Sequence, residues 1–187
     1  MINKIIRGII NAFRIIIIKI NCQGRAVISI IQPMRINSQL MIQKKAKKVV
    51  IGKNFRLESN AKVRVIDEGE LEIGNNRFIN CNSYITVEGN TIIRDNVLIG
   101  PNTMIFDHDH DYKSSKGIRN SSNITGEIYI GNNVWIGAGC IILRGAHIED
   151  DAVIAAGSIV REKVDAGCVF VQKRNSELIR YKEIGWQ

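Results

Sequence analysis

Aliphatic residues recur at every sixth position over the second half of the chain: Ile130, Ile136, Ile142, Ile148, Ile154 and Val160. Four residues after each comes a small or β-branched residue: Val134, Cys140, Ala146, Ala152, Ser158 and Val164. A helix requires a period of 3.6 and an alternating strand a period of 2. A sustained period of six therefore predicts a short strand and a tight corner, repeated many times.

The same spacing returns upstream in separate blocks: Ile51 and Leu57; Ile73, Ile79 and Ile85; Ile93, Ile99 and Ile105; and, more weakly, Ile30, Ile36 and Ile42. Three such units close one triangular coil, and stacked coils form a parallel β-solenoid with the aliphatic residues inside and a cap at each end. The composition agrees, since 36 Ile and 13 Val against 6 Leu favour strands.

Two segments interrupt the repeat. Between Val63 and Ile73 the sequence VRVIDEGELE predicts a small bulge or a strand pair at a corner. Over 107–127 the chain is polar and holds two of the three histidines. Loops this long in a compact domain are usually functional or disordered, and the histidines favour function. We therefore expect a basic N-terminal helix and cap at 1–48, a β-helix at 49–171 with the loop 107–127, and a short C-terminal helical tail at 172–187.

The N-terminal third is strongly basic. Residues 1–57 hold 12 of the 26 Lys and Arg and no acidic residue, whereas the remainder holds 14 basic and 18 acidic residues. A helix over the first 16 residues gathers Asn3, Lys4, Arg7, Asn11 and Arg14 on one side and isoleucines with Phe13 on the other. Either residues 1–20 lie on an anionic membrane surface, or the apolar side caps the solenoid or packs in an oligomer. We do not expect nucleic acid as a partner.

The cysteines and the first residues bear on location. Cys22, Cys81, Cys140 and Cys168 form no CxxC pair, which predicts small buried thiols in a reducing compartment. Basic residues interrupt the N-terminal apolar run, so we expect no secretory signal. The expected location is the cytoplasm, with peripheral attachment to the inner face of the plasma membrane.

The segments IGNNVWIGAGC (130–140) and IEDDAVIAAGSIV (148–160) resemble the hexapeptide-repeat acyltransferases, especially the galactoside and maltose O-acetyltransferases and their polysaccharide-modifying relatives. The resemblance implies an all-β fold, the left-handed parallel β-helix. It also implies acetyl-CoA as donor, no metal, and a homotrimer with active sites between subunits. The acceptor would be a sugar or a lipid-linked glycan of a capsule, O-antigen or exopolysaccharide.

The long loop opens with the sequence FDHDHDY (106–112). Acyl transfer to a hydroxyl needs a base of near-neutral pKa, which imidazole supplies. The resemblance, counted from the turn Gly100-Pro101-Asn102, implies His110 as that base and places His108 beside the acceptor. The family often has proline next, where this chain has Asp111.

Three further residues match the acceptor site of the galactoside and maltose enzymes. The resemblance implies that Asn80, Asn82 and Glu88 bind the acceptor sugar, since amides and carboxylates pair with hydroxyls. Alternatively, each asparagine is a corner residue that tolerates left-handed backbone angles.

The resemblance also implies a donor site around Trp135, Gly137 and Ala138, with Ala156 and Gly157 one coil higher. The Ala138 amide would stabilise the thioester oxyanion, and small side chains would admit the pantetheine arm. Arg161, Lys173 and Arg174 would bind the nucleotide phosphates. The family's usual G-x-P-A motif is replaced here by residues 173–176, Lys-Arg-Asn-Ser.

The predicted reaction is direct transfer without an acyl-enzyme, so no cysteine nucleophile is required. The alternatives are a serine or amino-sugar N-acyltransferase of the same fold, a carbonic anhydrase of the gamma class, and a solenoid without catalysis. The carbonic anhydrase is disfavoured because its H-x4-H pair is missing. The long histidine loop and the donor motif argue against a scaffold.

Overall fold

A computed structural model describes residues 2–173. An N-terminal helix, Ile2–Asn21, precedes a three-sided β-helix whose coils stack in parallel register. The predicted β-solenoid is therefore confirmed. The predicted C-terminal helix lies, beyond Lys173, outside the described residues.

The strands of the described residues form three parallel sheets, here named faces A, B and C. Face A contains Ala26–Ile28, Lys48–Ile51, Glu70–Ile73, Asn90–Ile93, Glu127–Ile130, His147–Ile148 and Lys163–Val164. Face B contains Phe55–Leu57, Arg77–Ile79, Leu98–Ile99, Trp135–Ile136, Val153–Ile154 and Val169–Phe170. Face C contains Gln39–Ile42, Lys62–Val65, Tyr84–Val87, Met104–Phe106, Ile141–Leu143 and Ile159–Val160.

The aliphatic positions of the repeat form ladders inside the prism. On face A, parallel register stacks Ile28, Ile51, Ile73, Ile93, Ile130 and Ile148, all of them buried. The small residues predicted four positions later, from Val134 to Val164, are buried as well. Each coil covers only its neighbours, so stability is distributed along the stack.

The first coil departs from the predicted phase. Its inward residues include Ile28 and Met34, whereas Ile30 and Ile36 are exposed, so these two predicted positions are wrong. The β-helix consequently starts at Ala26, upstream of residue 49. Aliphatic residues stand on both sides of this segment, and their spacing alone cannot tell which side faces inward.

The segment from Val63 to Ile73 continues the regular coil. Lys62–Val65 belongs to face C and Glu70–Ile73 to face A, with a turn between them. The two strands therefore do not pair with each other, and the predicted bulge or strand pair is a slightly longer corner.

Asparagines line the corner between faces A and B. Asn54, Asn76, Asn96 and Asn133 each have a φ of 55–60°, a left-handed conformation that asparagine tolerates better than most residues. Each side-chain amide donates to the next residue of the column, ending at Asp151, over 2.9–3.1 Å. The column thus stabilises the backbone turn and links successive coils.

The N-terminal helix caps the first coil with its polar side. Ile15 is fully buried, the Asn11 amide donates to the Met34 carbonyl over 2.7 Å, and Arg14 donates to the Ile36 and Ser38 carbonyls. The side chains of Ile9 and Phe13, on the opposite side, are exposed. The alternative in which the apolar side caps the solenoid is therefore wrong.

Two sequence expectations concern membrane segments and thiols. No helix among residues 2–173 combines the length and the apolarity that crossing a bilayer requires. All the cysteines are free; Cys22 and Cys140 are buried, but Cys81 is half-buried and Cys168 exposed, contrary to expectation. Burial raises the pKa of the Cys140 thiol, which disfavours the nucleophilic thiolate.

Substitution of Asn96 tests the asparagine column. We expect Asn96→Ala to lower the free energy of unfolding by about 2 kcal/mol, through left-handed strain and lost hydrogen bonds. Asn96→Gly should cost only about 1 kcal/mol, because glycine adopts the same φ without strain. Urea titration followed by circular dichroism measures both, and equal losses would exclude the backbone contribution.

Candidate active site

The long insertion is a closed, folded unit at the corner between faces C and A. The Gly126 amide donates to the Asp107 carbonyl over 2.8 Å, which joins the two ends of the loop. Inside it, His108–His110 pairs in antiparallel fashion with Asn123–Thr125, and Ile118–Asn120 forms a short 3-10 turn. The loop therefore presents both histidines from a defined hairpin.

A buried carboxylate fixes the start of this hairpin. Asp107 is fully buried and accepts hydrogen bonds from the amides of Glu88 and Gly89 and from the Thr91 hydroxyl over 2.9–3.1 Å. A buried charge needs such partners to offset its lost hydration. Asp107 thus ties the loop to the coil below.

His108 lies between two carboxylates. Its Nδ1 is 3.1 Å from Asp107 Oδ1, and its Nε2 is 3.8 Å from Glu88 Oε2. The hydrogen bond to Asp107, followed by the charges of Asp107, Glu88 and Asp109, raises the pKa of His108 although its burial opposes this. The imidazolium form is therefore favoured at this position.

His110 lies two residues further, on the exposed edge of the hairpin. Its Nδ1 is 2.8 Å from Asn123 Oδ1, and the Asn123 amide donates to Glu88 Oε2 over 2.6 Å. An amide oxygen can only accept, so Nδ1 carries the proton and Nε2 is the basic nitrogen. Asn123 thereby connects the two histidines through Glu88.

Two clefts flank the hairpin. One, of about 510 Å³, is lined by His110, Tyr112, Arg144 and Arg161 among others. The other, of about 940 Å³, is lined by Glu88, Ser121, Ser122 and Asn123 and extends down the same corner to Lys44, Lys45 and Arg25. His110 thus borders the smaller cleft, and the strand that contains Asn123 borders the larger one.

The predicted donor residues lie at another corner, between faces B and C. Gly137 is buried, and a Cβ added there would lie 2.6 Å from the Ala156 amide nitrogen. The close packing of the coils therefore requires glycine at this position. Ala138 is exposed, and among the described residues its N–H has no hydrogen-bond acceptor. Gly157 has a φ of 73° and donates to the Ala138 carbonyl. The corner therefore presents a free, accessible N–H.

Trp135 stands beside this corner on the outer side of face B. Its side chain is 56% exposed, in register with Leu98 on one side and Val153 on the other. Phe78 and Val169 extend the row at its two ends. An apolar stripe therefore runs along face B.

Asn80 and Asn82 share the corner of the donor residues. The side-chain Oδ1 of Asn80 accepts from the Cys81 amide within its own turn, and Asn82 has a φ of 58°. Asn82 is thus a corner residue with a left-handed backbone conformation, which is the alternative to sugar binding given above for both asparagines. Glu88, in contrast, lies with the histidines.

Within one chain the two corners do not meet. Gly100 lies directly beneath Ala138, and the strand Met104–Phe106 separates it from Asp107. The extended stretch from Thr103 to Asp107 alone spans about 13 Å, at about 3.3 Å per residue, and the turn at Pro101 and Asn102 lies before it. The histidines and the donor corner of a single chain are therefore too far apart to act on one bond.

The predicted phosphate-binding cations are dispersed. Arg161 lines the cleft beside His110, and Lys173 follows the last described strand. Arg174 lies outside the described residues. His147 lies on face A, stacked on Tyr129 with ring centroids 4.6 Å apart. Within the described part of the chain, no three His, Cys, Asp or Glu side chains are grouped to hold a metal ion.

Comparison with known proteins supports this architecture. Residues 127–162 match the family described as "Bacterial transferase hexapeptide (six repeats)". The fold and this repeat together define a left-handed parallel β-helix. Residues 127–162 carry the hexapeptide repeat of the bacterial transferases, so the predicted resemblance to hexapeptide-repeat transferases is confirmed over this segment.

Several solved structures are similar. A galactoside acetyltransferase in complex with coenzyme A is 25% identical, with a TM-score of 0.51, 81% of this chain and 62% of that chain covered. A maltose O-acetyltransferase from Clostridium difficile 630 is 25% identical, with a TM-score of 0.47 and coverages of 74% and 64%. This chain thus spans less than two thirds of either protein.

A variant of AntD, an N-acyltransferase from Bacillus cereus, was solved with dTDP-4-amino-4,6-dideoxyglucose and coenzyme A. It is 20% identical with a TM-score of 0.59, and 75% of this chain and 77% of that chain are covered. At this identity the similarity concerns the fold alone. No curated protein sequence matches the chain.

Titration of His108 tests the carboxylate contacts. We expect its pKa, measured by NMR, to lie above that of a free histidine and to fall in Asp107→Asn, with a smaller fall in Glu88→Gln. A raised pKa in the folded state stabilises the protein below the unfolded pKa, and this contribution is lost as pH rises through the folded value. Asp107→Asn should therefore show a smaller loss of stability over that range. An unchanged His108 pKa in Asp107→Asn would contradict the contact.

Proposed function

We propose that the protein is an acetyl-CoA-dependent O-acetyltransferase that acts on a sugar hydroxyl of a surface-polysaccharide precursor. The observation that carries this proposal is the pairing of His110 Nδ1 with Asn123 at 2.8 Å, which leaves a basic Nε2 at the edge of a cleft. The repeat of the bacterial transferases and the galactoside acetyltransferase bound to coenzyme A support the reaction class.

His110 is the proposed general base. Its Nε2 takes the proton of the acceptor hydroxyl, and the oxygen attacks the thioester carbonyl carbon. As the tetrahedral intermediate collapses, the carbon–sulfur bond breaks and the imidazolium gives its proton to the leaving thiolate. The products are the acetyl ester and free coenzyme A, and no metal is needed for any step.

The Ala138 N–H is the proposed oxyanion donor. A backbone N–H without an acceptor among the described residues is free to donate to the oxygen on which negative charge develops. The small residues Ala156 and Gly157 leave room for the pantetheine arm, with Trp135 beside it. Arg161 and Lys173 are proposed to meet the phosphates, as is Arg174.

The acceptor is proposed to occupy the cleft at Glu88, with its reacting hydroxyl reaching past Asn123 to His110 Nε2. Glu88 and Asn123 already form one hydrogen-bonded pair there, and the hydroxyls of Ser121 and Ser122 line the same space. Such carboxylate, amide and hydroxyl groups suit a ligand rich in hydroxyls. His108 lies behind Glu88 and holds it, and Asn80 and Asn82 would approach from a neighbouring subunit.

A homotrimer completes the proposed site. Because one face, about 13 Å wide, separates the histidine and donor corners of one chain, His110 needs the partner's Ala138. The exposed apolar stripe containing Leu98 and Trp135 gives such an assembly a surface to bury. Cyclic symmetry then produces three equivalent sites.

Alanine variants of the two histidines distinguish their roles. We expect His110→Ala to lower kcat by roughly 10²–10⁴ fold, the usual contribution of a positioned base. His108→Ala should cost far less, since its Nε2 faces Glu88, and acetyl-CoA binding should persist in both variants. Thiol release with a panel of sugars, nucleotide sugars and serine measures the rate. If only His108→Ala abolished turnover, His108 would be the base.

Mixed trimers test whether the site is shared. His110→Ala and Ala138→Arg should each be inactive alone, the second because a bulky side chain blocks the donor corner. Random assembly of equal amounts should restore roughly a quarter of wild-type activity, because each mixed trimer has one intact site of three. Light scattering should give three times 21.0 kDa. A monomer, or mixtures without activity, would contradict the shared site.

A further inference from the structure

The N-terminal helix presents an apolar surface that the β-helix does not cover. We name it the exposed apolar arc: Ile5, Ile6, Ile9, Phe13, Ile16 and Ile20, whose exposures run from 42% to 69%. Their spacing of three and four residues places them on one side of the helix. A contiguous exposed patch of this kind marks an interaction surface.

The other side of the helix is already engaged. Asn11 is 1% exposed and donates to the Met34 carbonyl, Ile15 is fully buried, and Arg14 donates to two carbonyls of the first coil. Rolling the helix over to bury the exposed apolar arc would break these hydrogen bonds. The arc is therefore directed away from the β-helix by fixed contacts.

The positive charge of the N-terminal region distinguishes between the possible partners of this surface. Residues 1–57 contain 12 Lys and Arg and no Asp or Glu. On the helix, Arg7 and Lys19 lie outside the arc, and Arg25, Lys44 and Lys45 follow at the first coil. A second copy docking arc to arc would bring these like charges together, at a cost. An anionic lipid surface offers the opposite charge and an apolar interior.

We propose that the exposed apolar arc docks on an anionic phospholipid surface. The helix lies in the plane of the interface with the arc toward the acyl chains, and the β-helix stays on the water side. The basic residues of the first coil then face the lipid headgroups. The docking depends on the helix and on the basic residues of the first coil, and it holds whatever the protein acetylates.

The site and the docking surface are connected. The cleft lined by Glu88 and Asn123 continues along one corner to Arg25, Lys44 and Lys45, in the coil beside the helix. This step rests on the proposed function: an acceptor carried on a lipid enters the cleft from the membrane side. Its phosphate would meet these three cations, which are interspersed with the carboxylates of Asp67 and Glu68.

Vesicle sedimentation of the full chain tests the docking. We expect the protein to sediment with vesicles of phosphatidylcholine and phosphatidylglycerol, and much less with phosphatidylcholine alone or at high salt. The double variant Ile9→Glu, Phe13→Glu should bind anionic vesicles at least about tenfold more weakly than wild type, because it places charges on the apolar face. Val171→Glu, 59% exposed at the opposite end of the β-helix and outside the apolar stripe of face B, should bind like wild type.

The outcomes separate lipid docking from its competitors. Circular dichroism and acetyl transfer to a soluble sugar should be unchanged in the double variant, which shows that the fold survives. A fall in its light-scattering mass would assign the arc to a subunit contact and overturn the proposal. Equal binding to neutral and anionic vesicles, or undiminished binding of the variant, would overturn it too. Vesicle binding by a chain that transfers no acetyl group would refute the proposed function and leave the docking intact.

Discussion

The close stacking of parallel coils is the constraint on which the rest of this structure depends. Neighbouring backbones lie about 4.8 Å apart, and the corners leave no room for an ordinary side chain at several positions. A Cβ on Gly52 would lie 2.6 Å from the Gly74 carbonyl oxygen, and one on Gly137 equally close to the Ala156 amide. Where the backbone turns into the left-handed region, asparagines such as Asn96 and Asn133 occupy the corner and bond to each other. These corners fix the direction of all three faces, and with them the positions from which the histidine loop and the donor turn project.

The repeat made most of the fold predictable, because one period encodes strand, corner and inward direction together. The prediction was wrong where that coding is ambiguous. In the first coil, aliphatic residues stand at both Ile28 and Ile30, and only the coil above, through Ile51, decides which of them is buried. The helix shows the opposite problem. Its amphipathic pattern was evident, but a pattern cannot show that the polar side, through Asn11, would be the one to contact the β-helix.

The candidate site was predictable as a set of residues but not as an arrangement. His108, His110 and Glu88 do gather at one corner, as the resemblance implied when it placed them around the acceptor. Asn123 was missed, because its contact with Glu88 spans 35 residues and forms only when the hairpin closes. The separation of His110 from Ala138 follows from which corner each turn occupies once the coils are wound. Spacing along the chain does not give this separation, and only the resemblance, which implied active sites between subunits, pointed to it.

The hydrogen bond that joins the Gly126 amide to the Asp107 carbonyl has an evolutionary consequence. It closes the insertion at its base, so the coils above and below pass this corner as if the intervening residues were absent. Insertions and deletions between the two ends can then reshape the surface around His110, while the folded core keeps its register and its stability. The demands of folding and the demands of ligand recognition therefore fall largely on separate parts of the same chain.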